Sequence, residues 1–380
     1  LSLYNRSTST RRLPIMTNCY TLPDTRPYPT DPVKNELLLY AGQIAQSSSI
    51  AQRKLAQESL AAGIYTMLQQ NHYLGLSVAM SMAPDTAAYQ ALFNSLDSAL
   101  QAKTDEEVQW FALPVVLVAG CKQAQSRPAD TPALELAACL ADYPALRPLA
   151  QADWLPKLVR AQDLAAVNAG QWFAAKQSRE AAAAFAATLP QADLAFPEGQ
   201  SVQVVFALGY GGKALQTAFQ PLKEAALPLM QVWQQALAQS GLTLFANPLQ
   251  PATPLAALTE GSHMRQRMAL DVFAANAIRA IRLQSPRVGV VMAAQQGGTL
   301  LFGFNATDGA FEVAEQVFAW PLSPVERIET VQQDFLDLMV ECQVEHIRLL
   351  HDALPERTEL PTYAQALNLP GHNPLFAEHH

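Results

Sequence analysis

Three apolar runs stand close together between residues 287 and 322: RVGVVMAA (287–294), TLLFGFN (299–305) and EVAEQVFAWPL (312–322). They are separated by the glycine-containing turns Gln295–Gly298 and Ala306–Gly309. A parallel crossover needs a dozen or more residues, so connections this short force neighbouring antiparallel strands, a meander. The period then changes. Ser323-Pro324-Val325-Glu326 offers a capping serine, a proline suited to a first turn and a glutamate three residues on, which predicts a helix start. Ile328, Val331, Phe335, Leu338 and Met339 fall on one stripe of that helix. VEHIRLLHDAL (344–354) reads as a returning strand. A meander followed by β–helix–β predicts an α+β fold.

The preceding chain is richer in helix. Residues 1–32 carry Pro, Thr, Asn and Arg and read as an extended tail, as do residues 356–380. Helical spacing begins near Asp31-Pro32 with Leu37, Leu38, Ala41, Ile44 and Ala45. After a break at Ser47–Ser49 it continues through Leu55, Leu60, Ile64 and Leu68, and a second stretch runs from Tyr89 to Leu100. VQWFALPVVLVAG (108–120) is apolar and β-branched, as a buried strand should be. Residues 133–190 are Ala/Leu-rich and helical, interrupted at Trp154-Leu155-Pro156 and ending in QSREAAAAFAATL. VQVVFAL (202–208) is a second buried strand, followed by helices at 222–239 and 254–283 with LTLFAN (242–247) between them. VQWFAL and VQVVFAL share Val-Gln and Phe-Ala-Leu, which hints at an internal duplication. The expected organisation is therefore two α/β halves, 33–195 and 196–355.

Charge narrows the partners. Lys and Arg number 25 against 33 Asp and Glu, a net charge of −8. This argues against nucleic-acid and anionic-membrane surfaces, which need a basic face. No run of 18 apolar residues suggests a membrane helix. Arg11-Arg12 resembles a twin-arginine signal, but a polar, proline-rich stretch follows where a hydrophobic region is required, so a cytoplasmic location is expected. Met16 reads as an initiator, with residues 1–15 as upstream or vector sequence, and Glu378-His379-His380 reads as a tag remnant. Cys19, Cys121, Cys139 and Cys342 form no C-x-x-C pair and are expected to be free thiols. Cys121, beside Gly120 and Lys122, would need a histidine brought in by folding to act as a nucleophile.

Chemistry is scarce. Gly209-Tyr210-Gly211-Gly212-Lys213-Ala214 follows an apolar run and has the G-x-G-x-x-A spacing of a dinucleotide loop. Gly209, Gly211, Gly212 and Lys213 are accordingly the candidate cofactor-binding residues. Three features oppose this reading: Pro221 leaves no clean helix, Asn247 stands where a ribose-binding acid belongs, and no repeating βαβ series surrounds the loop. Ala214 also lacks the hydroxyl a Walker-type loop supplies to magnesium. The competing expectation is a tight turn whose glycines supply positive φ. His346 and His351 point to opposite faces of a strand, although Glu341, Glu345 and His346 would cluster if that segment were helical. With His72 and His263 also isolated, no metal site and no cofactor are expected. Asp105-Glu106-Glu107 reads as a solvated edge, and Asp334 and Asp337 as exposed helix positions. Arg265, Arg267, Arg279 and Arg282 form a basic stripe able to meet phosphate or an acidic partner.

The meander ending in Phe318-Ala319-Trp320-Pro321-Leu322, the helix through Ile328-Glu329, and His346-Ile347-Arg348-Leu349-Leu350 resemble a family of uncharacterised, conserved hypothetical proteins of β-proteobacteria. The match covers roughly residues 286–351. It implies an intracellular α+β protein and transfers no catalytic residue. The expected function is a soluble, non-catalytic protein that binds a protein partner or itself. The alternative is an enzyme or sensor holding a nucleotide or phosphorylated small molecule at residues 209–213, with Arg265, Arg267 or Arg279 assisting.

Overall fold

A computed structural model describes residues 32–127, 130–190, 193–196, 199–219, 224–244, 251–296, 298–307 and 316–350. The expected tails, 1–32 and 356–380, lie outside the described residues except for Pro32, which opens the first helix. The fold is α+β. The chain divides into two units, one ending at Met268 and the other beginning at Ala269.

In the first unit, capping side chains begin two of the opening helices. The opening helices are α1 (Pro32–Gln46), α2 (Ile50–Gln69), α3 (Tyr73–Ser81) and α4 (Thr86–Leu100). Ser49, in extended backbone, accepts a hydrogen bond from the Gln52 amide and begins α2 after the expected serine break. Asn71, at φ 58°, turns the chain between α2 and α3. Asp85 accepts from the Ala88 amide at 2.7 Å and begins α4. α4 then buries Ala88, Leu92, Leu96 and Leu100 on one side.

The sheet follows, interleaved with short helices. Its parts are β1 (Val108–Cys121), β2 (Gln125–Arg127), α5 (Ala133–Ala141), α6 (Arg147–Ala150), β3 (Asp153–Trp154) and β4 (Val159–Arg160). Next come α7 (Ala161–Ala165), α8 (Ala169–Ala175), α9 (Arg179–Ala186), β5 (Leu194–Phe196) and β6 (Gly199–Gly212). The unit continues through α10 (Leu215–Ala218), α11 (Ala226–Gln239), β7 (Thr243–Leu244) and the start of α12 (Pro254–Arg282). β1 and β6 pair antiparallel along their whole length, from Val108↔Gly212 to Cys121↔Gly199. They form the centre of a sheet ordered β3-β6-β1-β7, with β4 also on β6, while β2 and β5 form a separate ribbon. Both faces of β1 are covered, which explains its near-continuous apolar run. Phe111, Leu113, Val115 and Leu117 enter a core with Leu136, Leu140, Leu229 and Trp233. Trp110, on the opposite face, packs edge-on against Trp172 and Phe185.

This arrangement corrects the expected division into halves at 195/196. That boundary would cut one sheet between its two central strands. VQWFAL and VQVVFAL are alike because both segments sit in doubly covered, adjacent strands, and they run in opposite directions.

In the second unit the meander forms as expected. β8 (Val288–Gln295), β9 (Thr299–Ala306) and β10 (Gln316–Pro321) pair antiparallel, with Gly298 at φ 84° in the first turn. α13 (Ile328–Glu341) then leads to β11 (His346–Leu349), which lies parallel to β8 at the opposite edge of the sheet. Ile328, Val331, Phe335, Leu338 and Met339 are buried, and Phe335 packs on Phe302 with ring centroids 4.4 Å apart. The helix start is corrected by a few residues. The Ser323 amide donates to Glu326 at 2.6 Å, but this closes a turn, and α13 begins after Arg327 without a side-chain cap. Among the described residues no helix is long and apolar enough to cross a membrane.

Candidate functional site

The glycine segment is strand, not loop. Gly212, Gly211, Tyr210 and Gly209 face Val108, Gln109, Trp110 and Phe111 of β1, and Tyr210 and Gly209 also face Asp153 and Trp154 of β3. Among the described residues the positive-φ glycines are Gly241 and Gly298, so the expected glycine turn is not formed at 209–212. Glycine is required there by proximity instead. A Cβ on Gly209 would lie 2.6 Å from the Phe111 ring and 3.2 Å from the Asp153 carbonyl oxygen. On Gly211 it would meet Leu215 at 2.9 Å, whereas Gly212 has open space. Lys213 is tied down as well, donating from Nζ to the Lys103 carbonyl at 2.8 Å. A phosphate cradle needs backbone amides converging on empty space; here the ladder engages the segment on one edge throughout and on both edges at 209–210.

The other candidates are dispersed. His72 and His346 are exposed, and His351 lies outside the described residues. Among the described residues no group of three His, Cys, Asp or Glu is placed to hold a metal. Cys139 and Cys342 are half-buried free thiols, and burial pushes both above the usual thiol range, away from nucleophilic reactivity. Arg265 and Arg279 are exposed. Arg282 donates to the carbonyls of Cys342 and Gln343 at 2.7 and 3.1 Å, closing the C-terminal end of α13. Asp337 is exposed as expected, whereas Asp334 is half-buried.

Two polar clusters in the first unit escaped the sequence reading. The first corrects one residue of the solvated edge expected at Asp105-Glu106-Glu107: Asp105 and Glu106 are exposed, but Glu107 is buried. Glu107 is only 8% exposed and accepts from the amides of Lys103 and Thr104 at 2.5 and 3.1 Å. It pairs at 3.2 Å with Lys176, which is 0% exposed. The Lys176 ammonium also donates to the Gln101 carbonyl at 3.0 Å and lies 5.2 Å from the Phe173 ring centroid. Burial pulls Lys176 below the usual lysine range, against the opposing pull of Glu107. Burial alone would raise Glu107, but the two amides and the ammonium outweigh it and hold the carboxyl below its usual range.

The second cluster opens onto a cavity of about 320 Å³. α4 contributes Asp97, and Gln101 caps its C-terminal end; β1 contributes Gln109, α10 contributes Gln216, and Thr253 stands before α12. Phe219, Pro251, Ala252 and Ala256 supply the apolar part of the wall. Residue 252 is fixed to β1 by paired bonds with Ala112, at 2.8 and 3.1 Å. Gln109 is fully buried. Its Oε1 accepts from the Ala102 amide and from Gln216 Nε2, at 3.0 and 2.8 Å, and its Nε2 donates to the Trp110 carbonyl at 2.7 Å. Gln216 also donates to the Ala102 carbonyl at 2.8 Å. Asp97 accepts from the Thr253 hydroxyl through one oxygen and from Gln101 Nε2, at 3.3 Å, through the other. Burial raises the Asp97 carboxyl above its usual range, with both hydrogen bonds opposing. The local traces of this site in the sequence are the four-residue spacing of Asp97 and Gln101 and the seven-residue link of Gln109 to Ala102. Gln216 and Thr253 join it from positions 107 to 156 residues away.

Set against protein-family models, curated proteins and solved structures, the chain matches none of them, so what this cavity does follows from its own chemistry.

Proposed function

We propose that this protein is a non-catalytic binding protein of the cell interior, and that its site is the cavity walled by α4, β1, α10 and the segment before α12. One observation carries the reading. The polar wall is already bonded to itself, Asp97 to Thr253 and Gln101, Gln109 to Gln216, while it borders a space of small-molecule size. A wall held this way recognises a ligand without first having to be ordered. Both Asp97 oxygens are held by neutral donors, which suits the carboxyl to recognition more than to moving protons. The half-buried free thiols and the net charge of −8 support a reducing compartment and a partner other than nucleic acid. The resemblance of residues 286–351 to hypothetical β-proteobacterial proteins agrees with an intracellular protein and adds no site residue.

Thermal melting of the whole chain with a panel of small neutral, cationic and anionic compounds tests this reading. The expected result is a shift with at least one compound that Gln216→Leu reduces. A shift with nucleotides or phosphates that Gly211→Val removes would overturn it in favour of the 209–213 segment. A second reading, docking of a protein partner or self-association, is favoured by Leu39, Ile50, Leu55 and Leu74 on α1–α3, each 57% to 84% exposed. Light scattering after size exclusion tests it, and a monomer that captures nothing would count against it.

A further inference from the structure

The chemistry of the cavity wall narrows the ligand, given the reading of the cavity as a binding site. After accepting from Thr253 and Gln101, the Asp97 carboxylate retains two of its roughly four lone-pair sites. Gln101 donates through Nε2 and Gln216 through both hydrogens of its Nε2, and among the described residues no donor reaches the Oε1 of either. The Thr253 hydroxyl has given its hydrogen to Asp97. What the wall has left to offer is therefore mainly acceptors, and one of them is an acid. None of the described residues lining the cavity is basic. An anion entering here would meet the carboxylate with no compensating charge. A neutral donor would form ordinary hydrogen bonds, while a cationic donor forms charge-assisted bonds roughly twice as strong. Phe219 adds an aromatic ring, over which an organic cation is also favoured.

We infer that the cavity binds a small organic cation bearing a primary ammonium or guanidinium group, with Asp97 as its counter-ion and the Gln101 and Gln216 carbonyls as further acceptors. The volume of about 320 Å³ suits a compact molecule of this class. This rests on the cavity being the binding site, and the test separates the two statements.

Isothermal titration of the whole chain with putrescine, agmatine and butylamine is compared with 1,4-butanediol and butyramide, which match them in size without the charge. The expected result is binding of at least one cation, about tenfold or more tighter than its neutral counterpart. Asp97→Asn is close to isosteric and keeps an acceptor for Thr253. It should lower cation affinity about tenfold or more without lowering the melting temperature of the ligand-free protein. Gln216→Leu removes an acceptor without changing charge and should weaken the same ligand less, which keeps the proposal testable should Asp97→Asn fail to fold. Neutral compounds binding as well as the cations, with Asp97→Asn unchanged, would overturn the cation while leaving the cavity as a binding site. An absence of binding by all five compounds would overturn both.

Discussion

The two polar clusters meet at one residue and differ in kind. Gln101 accepts from Lys176 through its backbone carbonyl and donates to Asp97 through its side chain. On one side, Glu107 and Lys176 form a closed ion pair with no cavity between them, joining the end of α4, the start of β1 and the end of α8. The Val108 amide completes this staple by donating to the Lys176 carbonyl at 2.7 Å. On the other side, Asp97 is held by neutral groups and borders space. A buried charge must be neutralised, paired or solvated. Glu107 has its counter-ion within the fold, and Asp97 has none among the described residues that line its cavity. The first cluster is thus complete as structure, and the second, on the proposed reading, is the one that takes a bound cation.

Breaking the closed cluster should produce the largest effect. Lys176→Met leaves Glu107 buried without its cation, a change that costs about 3–5 kcal/mol in comparable buried pairs. Denaturant unfolding of this variant should show it. Adding Glu107→Leu should recover much of the loss, because removing both charges is far less harmful than orphaning one. A single Lys176→Met variant as stable as the parent would show that the pair is not the staple described.

The strand between these clusters sharpens the contrast and shows where sequence reading stops. Gly209→Ala places a methyl 2.6 Å from Phe111 and should cost about 1–3 kcal/mol by overpacking. Gly212→Ala, one turn of the pleat further on and facing open space, should stay within about 0.5 kcal/mol. Equal effects at the two positions would refute the close approach. A run of glycines after an apolar strand looks like a turn because glycine's usual role is to supply positive φ. Here two of the three are glycine because a neighbour stands where a Cβ would be, a reason visible only once β1 and β6 are in register. The pairing of β8 with β9 was legible because its short connection leaves one geometry, whereas Asp308 and Gly309 of the second expected turn lie outside the described residues. The sheet of the first unit was not legible, since the pairing of β1 with β6 is set across the whole intervening chain. Glu107 misleads for the same reason: a run of three acids is usually solvated, and its cation arrives from α8.

The smallest expected effects are the most discriminating, because the two carboxyls should answer pH in opposite senses. Glu107 has a folded pKa below its usual 4.5, so it contributes stability above that value that is lost as pH falls through the folded pKa. Asp97 has a folded pKa above its usual 3.8, so its contribution is fully present below that value and is lost as pH rises through the folded pKa. Melting curves across the acid range should therefore tilt in opposite directions for Glu107→Gln and Asp97→Asn relative to the parent. Asp97→Asn should gain relative to the parent toward neutral pH, where a desolvated carboxylate is being kept ionised without a cation. A saturating organic cation should erase that gain by giving the parent its missing charge. If both variants tilt the same way, Asp97 already has its counter-charge, and the two clusters are the same device.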